Sequence, residues 1–474
     1  MEQLDATKSD NTPVPAHDPL GRVLFVLAVL ILALSPTQLS ILPHLPLSPA
    51  DLLLVVAALV WGIRWIIIRD TRSLPPFVNW LLIIAGVFSA VSLFVDTEPA
   101  QGFLGNYVKE LAQLVLYLLV GVTIFRATLT SPRRIRIAII ALLATTSLAV
   151  LFGVVQRGLL ARDFQPDATK RTVFMDPTPR GYITIETPIA VCSTFGSWNE
   201  KGFHASRMAY AGFLGLVLPF ALVLLATAKR RLALTLWLSF LFIGAAVSVL
   251  AGYIVPAILL GLLVTGCLLG RRTAWLTVAG IAVYLFAMLL IGGQNRIQVF
   301  QEPFRLKIST IEANNPNNRY DGVRHLKKIW GEQLASLSVM RGTRYVQNPA
   351  LFGVGAGQYQ KNIQEGYGGL SAVSNQHLES DAQSGYLLTM VSTGIFGLAA
   401  LLAIFLTYTK HAWRLARQKA NHPWAAACCG AMVTLVLMTL VTNPLVRGSS
   451  VAIAALFALI GNFATLAPQA RIQE

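Results

Sequence analysis

Residues 385–408 read GYLLTMVSTGIFGLAALLAIFLTY and residues 274–292 read AWLTVAGIAVYLFAMLLIG. Neither run holds a Lys, Arg, Asp, Glu or His, and each is long enough for a helix to cross about 30 Å of hydrocarbon. Between them lies Gly293 to Ser384, a long polar segment. Flanked by two membrane crossings, it must leave and return on one face, as a folded external loop. A polar loop of that length inside an apolar chain is more often functional than idle. It contains Arg319, Arg324, the amphipathic run Asp321 to Met340, the glycines Gly353, Gly355 and Gly357, and then His377, Glu379 and Asp381 shortly before the chain returns to the membrane.

Composition agrees with that reading. The chain is 55% hydrophobic and 13% charged, with a mean hydropathy of +0.60, far from a soluble globular domain. An all-α polytopic membrane protein follows, because in lipid a helix satisfies every backbone group within its own segment. The formal charge of +16 is then no nucleic-acid footprint, since the cytoplasmic loops of membrane proteins collect Lys and Arg. Cys192, Cys267, Cys428 and Cys429 give no disulfide framework and read as small packing residues.

Residues 1–22 are polar, lack the basic start of a cleavable signal, and read as a cytoplasmic tail. Twelve transmembrane helices follow: Val23 to Leu42, Asp51 to Ile68, Phe77 to Val95, Leu104 to Phe125, Ile135 to Gln156, Met208 to Ala228, Leu232 to Val249, Tyr253 to Leu269, Ala274 to Gly292, Gly385 to Tyr408, Trp424 to Thr442 and Ser449 to Leu466. The chain thus divides into spans 1–9 over 23–292, the external loop 293–384, spans 10–12 over 385–466, and a second cytoplasmic tail at 467–474. Alternate connections are basic: Arg64, Arg69 and Arg72; Arg126, Arg133, Arg134 and Arg136; Lys229, Arg230 and Arg231; Arg271 and Arg272; Lys410, Arg414, Arg417 and Lys419. The other set includes His44 to Ala50, Asp96 to Phe103 and the tight turn near Leu250 to Gly252, which carry no Lys or Arg. The positive-inside rule makes the basic set, and both termini, cytoplasmic.

Two outer connections are long and charged, 157–207 and 293–384. Their Arg157, Arg162, Arg171, Arg180, Arg207, Arg319 and Arg324 either gather an anionic group at the outer surface or contact lipid headgroups and nearby acids. Within the loop, Asp321 is placed to cap a helix whose Val323, Leu326, Trp330, Leu334 and Leu337 share one face, with Arg324, Lys327, Lys328 and Glu332 opposite. The alternating glycines 353, 355 and 357 follow no strand, so a dinucleotide fingerprint fails; they form a turn, with or without amides aimed at a phosphate. No Cys/His or paired-acid spacing suggests a metal, and no cofactor is expected. Of the ionisable residues in or beside the spans, Lys109 and Glu110 diverge on their helix. Arg64, near a cytoplasmic end, is expected to snorkel.

One stretch carries a family resemblance. The loop runs Arg, Trp, then Pro349 with Phe352-Gly353-Val354-Gly355-Ala356-Gly357. It returns as Tyr386-Leu387-Leu388 followed by Thr393-Gly394-Ile395-Phe396-Gly397, and resembles the bacterial O-antigen ligase and O-antigen polymerase family. The twelve-span layout resembles that family too, as does Gly202 to Tyr210 leading into the sixth span. The resemblance implies a GT-C-like membrane glycosyltransferase in the bacterial cytoplasmic membrane. Its donor would be an undecaprenyl-diphosphate-linked saccharide and its acceptor a sugar hydroxyl, with membrane lipids and other polysaccharide assembly proteins as partners and no nucleic acid. Such chemistry needs cations for the departing diphosphate and a group to take the acceptor's proton.

The family's ligases place a His just before this return and an Arg in the turn between spans seven and eight. Here those positions are Gln383 and the arginine-free Ser248 to Gly252. Candidate bases are therefore Asp381 and His377. Candidate diphosphate ligands are Arg324, Arg319, Arg207 and Arg447, the last standing in for the missing turn arginine. Polymerisation of O-antigen or exopolysaccharide repeat units is the expected activity, with ligation to lipid A core as the alternative. A transporter or flippase is the competing class. It would show polar residues at the midplane and repeated halves, whereas the polar residues here gather at the outer face.

Overall fold

The computed structural model describes residues 18–36, 48–68, 73–90, 103–163, 173–174, 182–183, 207–228, 240, 243, 254–282, 349–353, 355, 384–418, 423–445 and 447–470; over 103–106, 109, 152–163, 173–174, 182–183, 207–210, 447–448 and 464–470 it describes the backbone only. The described residues are almost entirely helical. In order they form α1 Pro19–Leu34, α2 Pro49–Ile68, α3 Val78–Ser89, α4 Phe103–Leu114, a π-helical stretch Val115–Gly121, α5 Val122–Thr128 and α6 Pro132–Asp163. The two-residue strands β1 Val173–Phe174 and β2 Tyr182–Ile183 pair antiparallel. Then come α7 Arg207–Thr227, α8 Val255–Leu269, α9 over 271–282, α10 Pro349–Phe352, α11 Gly385–Arg417, α12 Pro423–Met438 and α13 Arg447–Ala470.

Four helical stretches are long and apolar enough to cross a membrane, Pro49–Ile68, Glu110–Thr128, Pro132–Leu151 and Gly385–Arg417, and several shorter apolar helices accompany them. Large side chains such as Leu59, Ile66, Ile67 and Leu406 are exposed on the bundle's outside, as they are in a protein whose solvent is lipid. With no hydrophobic force between helices in lipid, close approach needs small residues. Antiparallel α8 and α12 meet through Gly261 and Gly430, and a Cβ on either would collide with Thr434 or Thr265 of the opposite helix. The Thr434 hydroxyl bonds the Gly430 carbonyl (3.1 Å) within its own helix. The helix-forming surface is thereby kept narrow without leaving a donor unpaired.

One end of the bundle collects the cations. There α1, α3, α6, α9 and α12 begin, and α2, α5, α7, α8, α11 and α13 finish. Direct contacts fix this convergence. Arg64 Nε of α2 donates to Asp18 Oδ2 at 2.9 Å. The Arg134 guanidinium of α6 lies 5.2 Å from the Phe25 ring of α1. Asn462 of α13 donates to the carbonyls of Arg126 (3.1 Å) and Leu129 (2.8 Å), closing the end of α5.

Arg64 corrects the sequence reading. It does not snorkel: only 5% of it is exposed, and Asp18 is its partner. Asp18 also caps α1 by accepting from Gly21 N–H (2.7 Å), so the first helix starts inside the polar tail expected at 1–22. Burial pushes the Asp18 carboxyl up, but the Arg64 hydrogen bond, the Gly21 amide and the charges of Arg64 and Arg134 outweigh it and hold the group below its ordinary value.

Buried polar side chains tie the bundle together. Asn79, fully buried on α3, donates to the Leu118 carbonyl in the π-helical stretch (2.9 Å) and accepts from the Tyr408 hydroxyl of α11 (3.0 Å). Tyr408 stacks flat on Phe457 of α13, centroids 4.0 Å apart. One residue earlier in the π-helical stretch, the Tyr117 hydroxyl donates to Asp51 Oδ1 at 2.6 Å. Asp51 in turn accepts from the amide (2.9 Å) and hydroxyl (2.8 Å) of Ser48 at the head of α2. A carboxylate so surrounded can be buried at modest cost.

Candidate functional site

The end of the bundle opposite the cations is built differently, and Gly394 is the reason. α11 is not one straight rod. At Gly394 the backbone takes φ 70 and ψ −165, a region essentially closed to side-chain-bearing residues. Tyr386 then lies with its ring 6.0 Å from that of Phe405, although a straight helix would hold these residues about 28 Å apart. The chain therefore doubles back, with 385–393 as a short arm against a long arm, 395–417. Gly397 permits the close packing after the bend: a Cβ there would overlap the Thr393 side chain at the end of the short arm. The expected tenth span, Gly385 to Tyr408, is thus a hairpin whose long arm alone is about 34 Å.

Folding back sinks the start of α11 below the rim. Ser384, 6% exposed, caps the short arm by accepting from Leu387 N–H (3.4 Å). Gly385 donates its N–H to the carbonyls of Thr439 (2.9 Å) and Thr442 (3.1 Å) in the turn after α12. The Tyr386 hydroxyl donates to the Val436 carbonyl (2.9 Å). A Cβ at Gly385 would be 2.7 Å from Thr439 Cγ2 and 3.4 Å from Pro444 Cδ, so the approach is as close as the backbone allows. The turn continues through Asn443, whose Oδ1 accepts from Leu445 N–H (3.2 Å), and two residues later α13 opens on Arg447. α7 comes to the same place. Its Gly212 faces Met438, the last residue of α12, with the sulfur 3.2 Å from a Cβ position. Arg207, five residues earlier, opens α7.

Three helix starts, those of α7, α11 and α13, thus surround the end of α12. Exposed amides at a helix start carry partial positive charge. Gly385 spends its amide on α12's terminal carbonyls, and the other two starts, those of α7 and α13, both begin with arginine.

The candidate residues divide accordingly. The fold brings the positions of Arg207 and Arg447 to one recess, and Ser384, three residues after Asp381, to the same recess. Asp381, His377, Arg319 and Arg324 lie outside the described residues, as does the amphipathic run Asp321 to Met340. The glycine turn is decided in part: Gly355 N–H donates to the Ser392 carbonyl (3.0 Å), so that amide serves backbone docking rather than a phosphate. Among the described residues no three His, Cys, Asp or Glu converge as a metal site would require. An apolar cavity of about 30 Å³ between α1, α6, α7 and α13, lined by Leu32, Ile139, Phe220 and Leu456 among others, offers no polar anchor.

No protein-family model matches the chain, and no curated protein matches it. The site therefore rests on its own geometry. Sequence reasoning missed the hairpin, because Gly394 and Gly397 permit a reversal inside an apolar helix-forming run without demanding one.

Proposed function

We propose that the protein is a membrane glycosyltransferase that moves a saccharide from undecaprenyl diphosphate to an acceptor sugar hydroxyl at the outer face of the bacterial cytoplasmic membrane. Its product is polymerised O-antigen or exopolysaccharide. In this reading the chain has twelve crossings in a GT-C-like arrangement, and the cation-rich end with both termini faces the cytoplasm.

The observation that carries the reading is the meeting of the starts of α7 and α13, each opening on an arginine, beside the recessed start of α11. Helix starts and arginines favour a diphosphate, and most so where its charge grows as the glycosidic bond breaks. Asp381 or His377, a few residues before Ser384, then receives the acceptor's proton as that oxygen attacks the anomeric carbon and the lipid diphosphate leaves. Arg324 and Arg319 add further cations from the loop.

The bend in α11 also suits a transporter, whose substrate sites use broken helices. Against that class, the buried ionisable groups Asp51 and Arg64 lie toward opposite ends of α2 and are satisfied locally by Ser48, Tyr117 and Asp18.

The lipid-linked glycan that accumulates when the protein is removed tests the proposal. Single repeat units at the outer face indicate a polymerase, and full-length lipid-linked polymer indicates the ligase alternative. Repeat units confined to the inner face indicate a flippase and overturn the enzyme reading. In the polymerase case, Arg447→Ala and Arg207→Ala each lose a charge-assisted contact worth roughly 1.5 to 3 kcal/mol, a fall in transfer of about 10- to 150-fold.

A further inference from the structure

Pro349–Phe352 and the two glycines after it form a short strap that lies across the bend of α11. Ala350 is 1% exposed. The Phe352 ring sits between Phe396 of α11 (5.5 Å) and Phe88 of α3 (6.2 Å). Gly353, at φ 78, presses its backbone on Ser392 and Thr393, while Gly394 presses on Leu351 and Phe352. A Cβ on either glycine would collide with main-chain atoms of the other segment. The Gly355 amide completes the contact at the Ser392 carbonyl. In an unbroken helix that carbonyl would accept from the amide four residues on, Phe396. Strap and bend therefore compete with helical continuity for the same acceptor.

We infer that the strap Pro349–Gly355 and the bend at Gly394 are one positioning unit: docking of the strap keeps α11 folded back, and so keeps Ser384 in the recess. Glycine does not itself demand the bend, because it accepts helical torsions as well as left-handed ones. The occupied Ser392 carbonyl and the interlocked rings are what select the bent form. Undocking frees that carbonyl for Phe396 N–H and lets α11 run straight through Gly394. Tyr386 and Phe405 then part to about 28 Å, and Ser384 leaves the recess. Gly353, Gly355, Phe352 and Phe396 act through Ser384 and the residues before it; they are positioning residues. Their effect on transfer rests on the glycosyltransferase reading, while their effect on the shape of α11 does not.

Spin labels on Leu388→Cys and Leu406→Cys, with the native cysteines replaced, read the bend in the full-length chain in lipid nanodiscs. A straight helix separates those positions by about 27 Å, and the hairpin brings them within about 20 Å. The expected result is a single short distance in the parent chain and in Phe352→Tyr, which keeps the ring. Phe352→Ala should add a population near the longer distance, with at least a tenfold fall in glycan transfer measured alongside. Phe396→Ala, at a half-exposed position, removes the same ring contact from the other side and serves if Phe352→Ala fails to fold. A single short distance in both alanine variants overturns the proposal, as does loss of transfer with the distance unchanged. A shifted distance in a chain whose parent transfers no glycan upholds the positioning unit and sinks the glycosyltransferase reading instead.

Discussion

The two ends of the bundle handle the same problem, how to finish a helix, in opposite ways. At the cation-rich end, helices finish on side chains. Asp18 caps α1 and binds Arg64, Asn462 closes α5, and Trp413 carries the Arg417 guanidinium 4.6 Å from its ring. At the other end side-chain caps such as Ser384 remain, but backbone also meets backbone: the Gly385 amide closes α12, the Gly355 amide takes a carbonyl of α11, and Gly353 and Gly394 interlock. Side-chain caps tolerate a shift of an ångström or two, because long cations reach. Main-chain contacts through glycine do not, since there is no side chain to adjust. The rigid, glycine-built end is also the one where three helix starts meet, as a site needing fixed geometry requires.

Substitution at the glycine-built end should therefore cost the most. Gly394→Val places a β-branched side chain at a positive φ and drives it into the Leu351–Phe352 backbone. The bend should be lost outright, with a destabilisation of about 3 kcal/mol or more in detergent thermal unfolding. A variant as stable as the parent would mean that the two ends are equally forgiving.

At the cation-rich end the largest effect should come from Asp18→Ala, which removes the carboxylate paired with the buried Arg64 charge and costs about 3 kcal/mol; Asp18→Ala with Arg64→Met should recover much of it. The pair also sets a pH dependence. Because the folded Asp18 carboxyl is held below its ordinary value, its contribution is fully present above the unfolded value of about 4 and fades as pH falls through the lowered folded value. The parent should lose stability on acidification below about pH 4 by an amount that Asp18→Asn does not show. Equal acid sensitivity in both would remove Asp18 as the titrating group.

Gly430→Ala sharpens the comparison away from both ends. The added Cβ meets Thr265 and the Gly261 carbonyl, and overpacking there should cost about 2 kcal/mol, with Thr265→Ala giving back part. The smallest effect belongs to Ser384→Ala. Losing one cap should cost about 1 kcal/mol, and Ser384→Asp should keep the cap. A much larger loss of transfer than of stability in Ser384→Ala would show that the recess depends on that residue beyond capping.

Most of the helix positions were legible in the sequence, because apolar length and the need to satisfy every backbone group leave the chain little choice in lipid. Starts at Pro49, Arg207 and Pro423 fall within two residues of the expected ones. The alternation of Arg and Lys between connections was legible for the same reason, and among the described residues Arg64, Arg126, Arg134 and Arg417 lie at one end. Arg64 was misread because its partner is 46 positions away in sequence, and no local pattern announces a distant carboxylate.

The bend at Gly394 was illegible for a related reason. Glycine permits a straight helix and a reversal alike, and the run from Gly385 to Tyr408 has the composition of a single crossing. What decides between them is a tertiary contact, the Gly355 amide and Phe352 ring delivered by a segment more than thirty residues upstream. The sequence by itself determined how many backbone groups must be paired, and where apolar helices can pair them. Which carbonyl meets which amide across the recess, and hence where the starts of α7, α11 and α13 point, was left to packing, because glycine constrains the chain only through what presses against it.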